Sequence, residues 1–118
     1  MQQVRQSTVT ILNSTSLSTA SVDLCHEQLV GIIMPAAWDA AALTFQGSID
    51  GSTWGEVRSA GAAFTVASAD AIASALVLLD SHVTPAIRFL KVRSGTSGAA
   101  VNQTADRVIT LLTRDLVE

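Results

Sequence analysis

The chain has 118 residues, a length that fits one domain and leaves no room for a second. Only 14% of residues are charged, aromatics are 4% with no Tyr, and the net charge of −3 argues against a nucleic-acid surface, which needs a concentrated positive stripe. The single cysteine, Cys25, rules out an intrachain disulfide, so stability has to come from buried Val, Ile and Leu or from neighbouring molecules.

From the N-terminus, Ser7 to Leu12 alternates Thr8 and Thr10 with Val9 and Ile11, which predicts a first strand. The polar stretch Asn13 to Thr19 interrupts it, and Ala20 to Leu24 resumes the alternation through Val22 and Leu24. Leu29 to Met34 is continuously apolar and predicts a strand buried on both faces, which Pro35 ends because it cannot donate to a ladder. The Ala-rich piece Ala36 to Ala41, around Trp38, is too short for an independent helix and reads as one helical turn crossing the end of the fold.

Ala42 to Ser48 predicts the next strand, with Leu43 and Phe45 on one face and Thr44, Gln46 and Ser48 on the other. It runs into Asp50-Gly51, residue types that tolerate the positive φ of a tight hairpin turn, and emerges at Trp54 to Val57. Gly61 marks a turn before Ala63 to Val66. Ala67 to Leu79 has helix-forming composition, but its apolar end at Ala75 to Leu79 is short, and loop then strand is the expected order. Ile87 to Ser94 predicts a strand carrying Arg88, Lys91 and Arg93, whose cations are expected to pair with carboxylates across a sheet. Gly95 to Ala100 reads as a flexible loop and Asp106 to Arg114 as the last strand.

Strand spacing of about ten residues predicts an all-β fold, an antiparallel β-sandwich of jelly-roll type with about eight strands and one short helical turn. The whole of 1–118 forms one domain, with 1–6 and 114–118 as docking arms that order on contact. No hydrophobic leader is expected at the polar N-terminus, and the longest apolar run, Leu29 to Ala37, is far short of the ~20 residues of a membrane span, so a cytosolic origin is expected.

No residue pattern points to catalysis, a cofactor or a metal. Cys25 and His26 are adjacent and on a strand would face opposite sides, which suits a structural cysteine better than a nucleophile with its base. His82 has no partner at ligand spacing. Asp39 and Asp50 are accounted for by local turns, Asp70 stands alone, and Asn13-Ser14-Thr15 and Asn102-Gln103-Thr104 match the glycosylation sequon in a chain so rich in Ser and Thr that chance matches are expected. Trp38 and Trp54 flank turns. An exposed indole there would offer a stacking platform for a sugar ring, whereas a structural indole would cap the core with its N–H on a loop carbonyl.

The strings Leu29-Val30-Gly31-Ile32-Ile33-Met34-Pro35-Ala36-Ala37-Trp38 and Leu43-Thr44-Phe45-Gln46-Gly47-Ser48 with Asp50-Gly51 resemble a family of small virion proteins of tailed bacteriophages. Phe89 to Thr96, with Val101-Asn102-Gln103, is similar to the same family, and the most specific part is Met34-Pro35-x-x-Trp38 followed by Phe45-Gln46-x-Ser48-x-Asp50-Gly51-x-x-Trp54. The strand ending in Ser48-x-Asp50-Gly51 also resembles galactose-binding-like jelly rolls, in which the Asp-Gly turn is architectural.

The resemblance implies a non-enzymatic capsid cement or decoration protein, or a fibre-base protein, located in the virion and assembled in the host bacterial cytoplasm. Its implied partners are copies of itself, as a dimer or trimer, and the major capsid protein or other virion proteins. Pro35, Trp38, Asp50, Gly51 and Trp54 are then architectural. The alternative is a carbohydrate-binding module on a phage receptor-binding appendage, with Trp38 or Trp54 as its platform.

Overall fold

The computed structural model describes residues 4–24, 27–59, 61–79 and 87–115. The described chain forms strands only: β1 Val4–Ile11, β2 Val22–Asp23, β3 Glu27–Ile33, β4 Leu43–Ser48, β5 Gly55–Glu56, β6 Arg58–Ser59, β7 Ala62–Ala63, β8 Leu76–Leu78, β9 Phe89–Thr96, β10 Ala99–Ala100 and β11 Arg107–Asp115. One sheet has the order β1-β11-β3-β8. The facing sheet has the order β10-β9-β4-β5, with β2 also pairing with β9. The strand pairings within both sheets are antiparallel, and β6-β7 is a separate small hairpin turned by Gly61.

The period-two pattern decides which side chains meet between the layers. Val9 and Ile11 of β1, Ile109 and Leu111 of β11, and Leu29 and Ile32 of β3 are buried against Leu43 and Phe45 of β4 and Leu90 and Val92 of β9. Burying each such aliphatic side chain contributes roughly 1.5–3 kcal/mol. Phe45 meets Phe64 at 5.4 Å between ring centroids, which extends this core toward the 64–66 segment, where Val66 bridges to Leu43.

Three local expectations are corrected. The apolar run Leu29–Met34 is not buried on both faces: Val30 and Ile33 are half-exposed. In the β3–β11 ladder, Thr113 faces Leu29 while Leu112 faces Gly31, so Val30 is an extra, bulged residue. The bulge resets the alternation and sends both Leu29 and Ile32 into the core, three positions apart, which is why the run looks unbroken. Ala36–Ala41 forms bends, not a helical turn, because Asp39 is held by the distant Gln103 and Thr104 while Trp38 packs on the core. Gly95–Ala100 is not a loose loop: Thr96 pairs with Ala99 and Gly95 with Ala100 in a β9–β10 hairpin.

The described parts of the two expected arms lie inside the β1–β11 ladder, with Val4 opposite Arg114 and Gln6 opposite Leu112. Beneath them Glu27 is buried, accepting hydrogen bonds from Arg5 Nη1 and, at 3.0 Å, from Thr113 Oγ1. The sheet end is thus tied by a charge-assisted contact joining β1, β3 and β11.

Gly95 has φ +88, and a Cβ there would meet Ala99 O at 2.5 Å and Val101 N at 2.7 Å, both backbone atoms that cannot step aside. Gly98, in the turn of the same hairpin, has nothing within 4 Å of its Cβ position. Gly95→Ala is therefore expected to lower the free energy of unfolding by roughly 2–4 kcal/mol, while Gly98→Ala stays within about 0.5–1 kcal/mol of the parent, both read from urea denaturation midpoints.

Candidate functional site

The architectural residues predicted from sequence fall into two groups at opposite ends of β4. Pro35 and Trp38 precede Leu43, whereas Asp50, Gly51 and Trp54 follow Ser48. A strand of this length separates its ends by about 17–20 Å. The two indoles therefore belong to different places and do not share a surface.

At the first end, Trp38 packs on the core and its Nε1–H donates to Ala41 O at 3.2 Å, the capping arrangement. Beside it, the Gln103 side chain is fully buried and all its bonding capacity is used. Its Nε2 donates to Asp39 O (3.2 Å) and Ser94 Oγ (2.8 Å), and its Oε1 accepts from Asp39 N (2.9 Å) and Arg107 Nε (3.2 Å). Asp39 is not engaged in a local turn, as its position suggested. Its carboxylate accepts from Thr104 N at 2.7 Å, Thr104 Oγ1 at 3.2 Å and Arg107 Nη2 at 3.1 Å, some 65 residues away in sequence.

At the second end, Asp50 does form local bonds, with Oδ1 accepting from Ser52 N (2.8 Å), Thr53 N (2.9 Å) and Ser48 Oγ (3.0 Å). Gly51 has φ +81, but Asp50 is not left-handed, so the connection is a longer loop stapled by one carboxylate in place of the expected tight turn with positive φ at both residues. Trp54 is half-buried, and Lys91 Nζ sits 4.7 Å from the centre of its ring. The expected cross-strand pairing holds for the neighbouring cations: Arg93 Nη2 reaches Glu56 Oε2 at 2.7 Å and Arg88 Nε reaches Asp23 Oδ1 at 3.3 Å. Arg93 also donates from Nε to Thr44 Oγ1 at 2.9 Å, and the Thr44 hydroxyl donates in turn to Gly95 O at 2.7 Å. Two charges, Arg93 and Glu56, are thereby fixed on the outer face of β9, β4 and β5.

Two open grooves lie at sheet edges. One, of about 360 Å³, runs beside β5 over Gly47, Val57 and Ile87, with Glu56 and Arg58 on its rim. The other, of about 320 Å³, lies beside β8 between Ile72 and Leu78. Among the described residues no cluster of His, Cys, Asp or Glu is arranged to hold a metal ion. Cys25, His26 and His82 lie outside the described residues.

The feature that sequence reading missed is the outer face of the β1-β11-β3-β8 sheet. Leu76 and Leu78 of β8 are 60% and 79% exposed, and Val108 of β11 is 50% exposed. In register Leu78 stands beside Gly31 and then Leu112, and Leu76 beside Ile33 and then Thr110, with Val108 two residues before Thr110 on β11, so a largely apolar band crosses three strands of the sheet's outer face. The signal was present in Val108-Ile109-Thr110-Leu111-Leu112, which has apolar residues on both faces where a half-exposed strand would alternate. Comparison with protein-family models and with curated proteins finds no match for the chain.

The carboxyl of Asp39 is held below the usual aspartate value of 3.8, first by the Thr104 hydroxyl and amide and then by Arg107; that of Asp50 is lowered by the Thr53 and Ser52 amides and the Ser48 hydroxyl. Glu56 is lowered from 4.5, first by the Ser97 hydroxyl and then by Arg93 and Arg58. In each case the folded state binds the proton more weakly than the unfolded chain. The stability they confer is full above the unfolded values and is lost as the pH falls through the folded ones. Urea midpoints are expected to hold from about pH 6 to 5 and drop below about pH 4, with a shallower drop in Asp39→Asn. Gln103→Leu, which leaves the buried Ser94 hydroxyl and both Asp39 backbone groups without their partner, is expected to cost roughly 2–4 kcal/mol at neutral pH by the same measurement.

Proposed function

We propose that this chain is a non-enzymatic structural protein that acts by assembly, and that its setting is the outer surface of a tailed-bacteriophage particle, as a cement or decoration protein. The observation that carries the assembly reading is the apolar outer face of the β1-β11-β3-β8 sheet. A chain with so few charges places exposed Leu76, Leu78 and Val108 together on one flat surface, and contiguous apolar surface of this kind marks a contact for another protein. The phage setting comes from the sequence resemblance through Met34-Pro35-x-x-Trp38 and the Asp50-Gly51 segment.

The strand order supports a jelly-roll reading of the sandwich. The first, third, eighth and last strands make one sheet, the second, fourth, fifth and ninth the other with the short tenth added at its edge, and the chain crosses between layers as two Greek keys require. The carbohydrate-module alternative draws less support from the geometry, because Trp38 is packed on the core and one face of Trp54 carries the Lys91 ammonium.

The test is co-sedimentation of the purified protein with empty capsids of the phage that encodes it. Saturable binding is expected, weakened about tenfold or more by Val108→Asp, which leaves the inner face of β11 untouched, and unchanged by Trp54→Ala. Binding to bacterial polysaccharide that is abolished by Trp54→Ala, with no capsid binding, would reverse the assignment.

A further inference from the structure

On the reading of the chain as an assembly protein, we propose that β8 pairs edge to edge with β8 of a second copy, with Val77 on the two-fold axis, joining two four-stranded sheets into one of eight. The ladder phase fixes which backbone groups are available. Met34 N donates to Ala75 O at 2.8 Å and Leu79 N to Val30 O at 3.0 Å, so the odd-numbered residues of this segment bond to β3. Alternation in an antiparallel ladder then turns the N–H and C=O of Leu76 and Leu78 to the open edge. With Val77 opposite its own copy, Leu76 of each chain faces Leu78 of the other as a hydrogen-bonded pair. All four groups on each edge are satisfied.

Three observations select a second copy as the occupant. Edge strands that work unpaired are blunted by Lys, Pro, bulges or inward charges, and the stretch Ala75–Leu79 has none of these. Symmetric pairing sets like against like, which a charged segment would forbid and this uncharged one permits. Length matches as well: the chain leaves the strand direction at Ser74, whose φ is +63 and whose N–H is bound to Pro35 O, so a longer partner strand would gain no bonds beyond Ala75.

The contact is small. A three-residue edge with Leu76, Leu78 and nearby Ile72 falls well short of the roughly 800 Å² per partner of a standard stable interface, so the dimer is weak in dilute solution and forms where copies are concentrated. Pairing leaves the apolar band continuous across the axis, doubling the surface offered to a third component.

The experiment is sedimentation of the full chain from about 10 μM to 1 mM, with amide hydrogen exchange at both ends of that range. A shift from monomer to dimer is expected, with the Leu76 and Leu78 amides gaining protection at high concentration while Val77 is protected throughout. Leu78→Pro removes a donor that β3 does not use, and is expected to weaken the dimer at least about tenfold. The double variant Leu76→Lys with Leu78→Lys keeps the donors, sets lysines directly opposite one another, and is expected to do the same. Circular dichroism checks that both remain folded. A chain monomeric at every concentration, a dimer that survives both variants, or open-ended oligomers would each overturn the pairing. No capsid is needed, so this result stands apart from the outcome of capsid binding.

Discussion

The fold depends on one arrangement: the aliphatic side chains of β1, β11 and β3 interleaved with those of β4 and β9. Val9, Ile11, Ile109, Leu111 and Ile32 on one layer and Leu43, Phe45, Leu90 and Val92 on the other are almost wholly removed from water. Of these only Phe45 is aromatic, so the layer is filled by many medium-sized groups with few large anchors. Such a core tolerates no shift of register, because moving any of these strands by one residue would exchange the buried set for residues such as Thr8, Thr10, Gln46 or Lys91. The Val30 bulge belongs to this constraint, since without it either Leu29 or Ile32 would leave the core.

Around that core, polar side chains do the closing that disulfides or large aromatics do elsewhere. Gln103 and Asp39 fasten the β3–β4 connection to the segment leading into β11, and Gln103's own backbone bonds Thr15 O and Ser14 N from a third loop. Ser18 does similar work beside β9, donating its backbone N–H to Val92 O and accepting from the Val92 amide through Oγ. The Gln103 side-chain and Ser18 contacts are buried or half-buried, so each is worth more than its counterpart at the surface and each broken partner costs more.

How much of this was legible in the sequence follows from the range of the forces involved. The long strands were readable because Val9, Ile11, Leu43, Phe45, Ile109 and Leu111 fall on a two-residue period that burial alone imposes. The capping role of Trp38 and the local bonds of Asp50 were also within reach, since their partners lie within a few residues. Asp39, Gln103 and Gly95 were not, because their roles are set by residues brought close only by the completed sandwich: Thr104 for Asp39, Ser94 for Gln103, and the Ala99 carbonyl for Gly95. The bulge at Val30 was hidden for the same reason, being visible only against the register of β11.

The two outer faces of the sandwich carry opposite chemistry, and the assembly reading follows from that contrast. On the β9-β4-β5 side, Arg93, Glu56, Thr44 and Lys91 are bound to one another or to Trp54, with Arg93 and Thr44 buried, so the polar groups of that face already have partners. On the β11-β3-β8 side, Gly31 leaves space in which Leu112 lies flat, with Leu112 Cδ1 only 3.2 Å from where a Cβ would stand, and Leu76, Leu78 and Val108 continue the same plane. A flat apolar plane ending in an unblunted strand edge loses solubility without gaining internal stability. Its retention in a chain with so few charges is intelligible when the plane is covered in the working state, because burying it then adds roughly 25 cal/mol for each Å² removed from water.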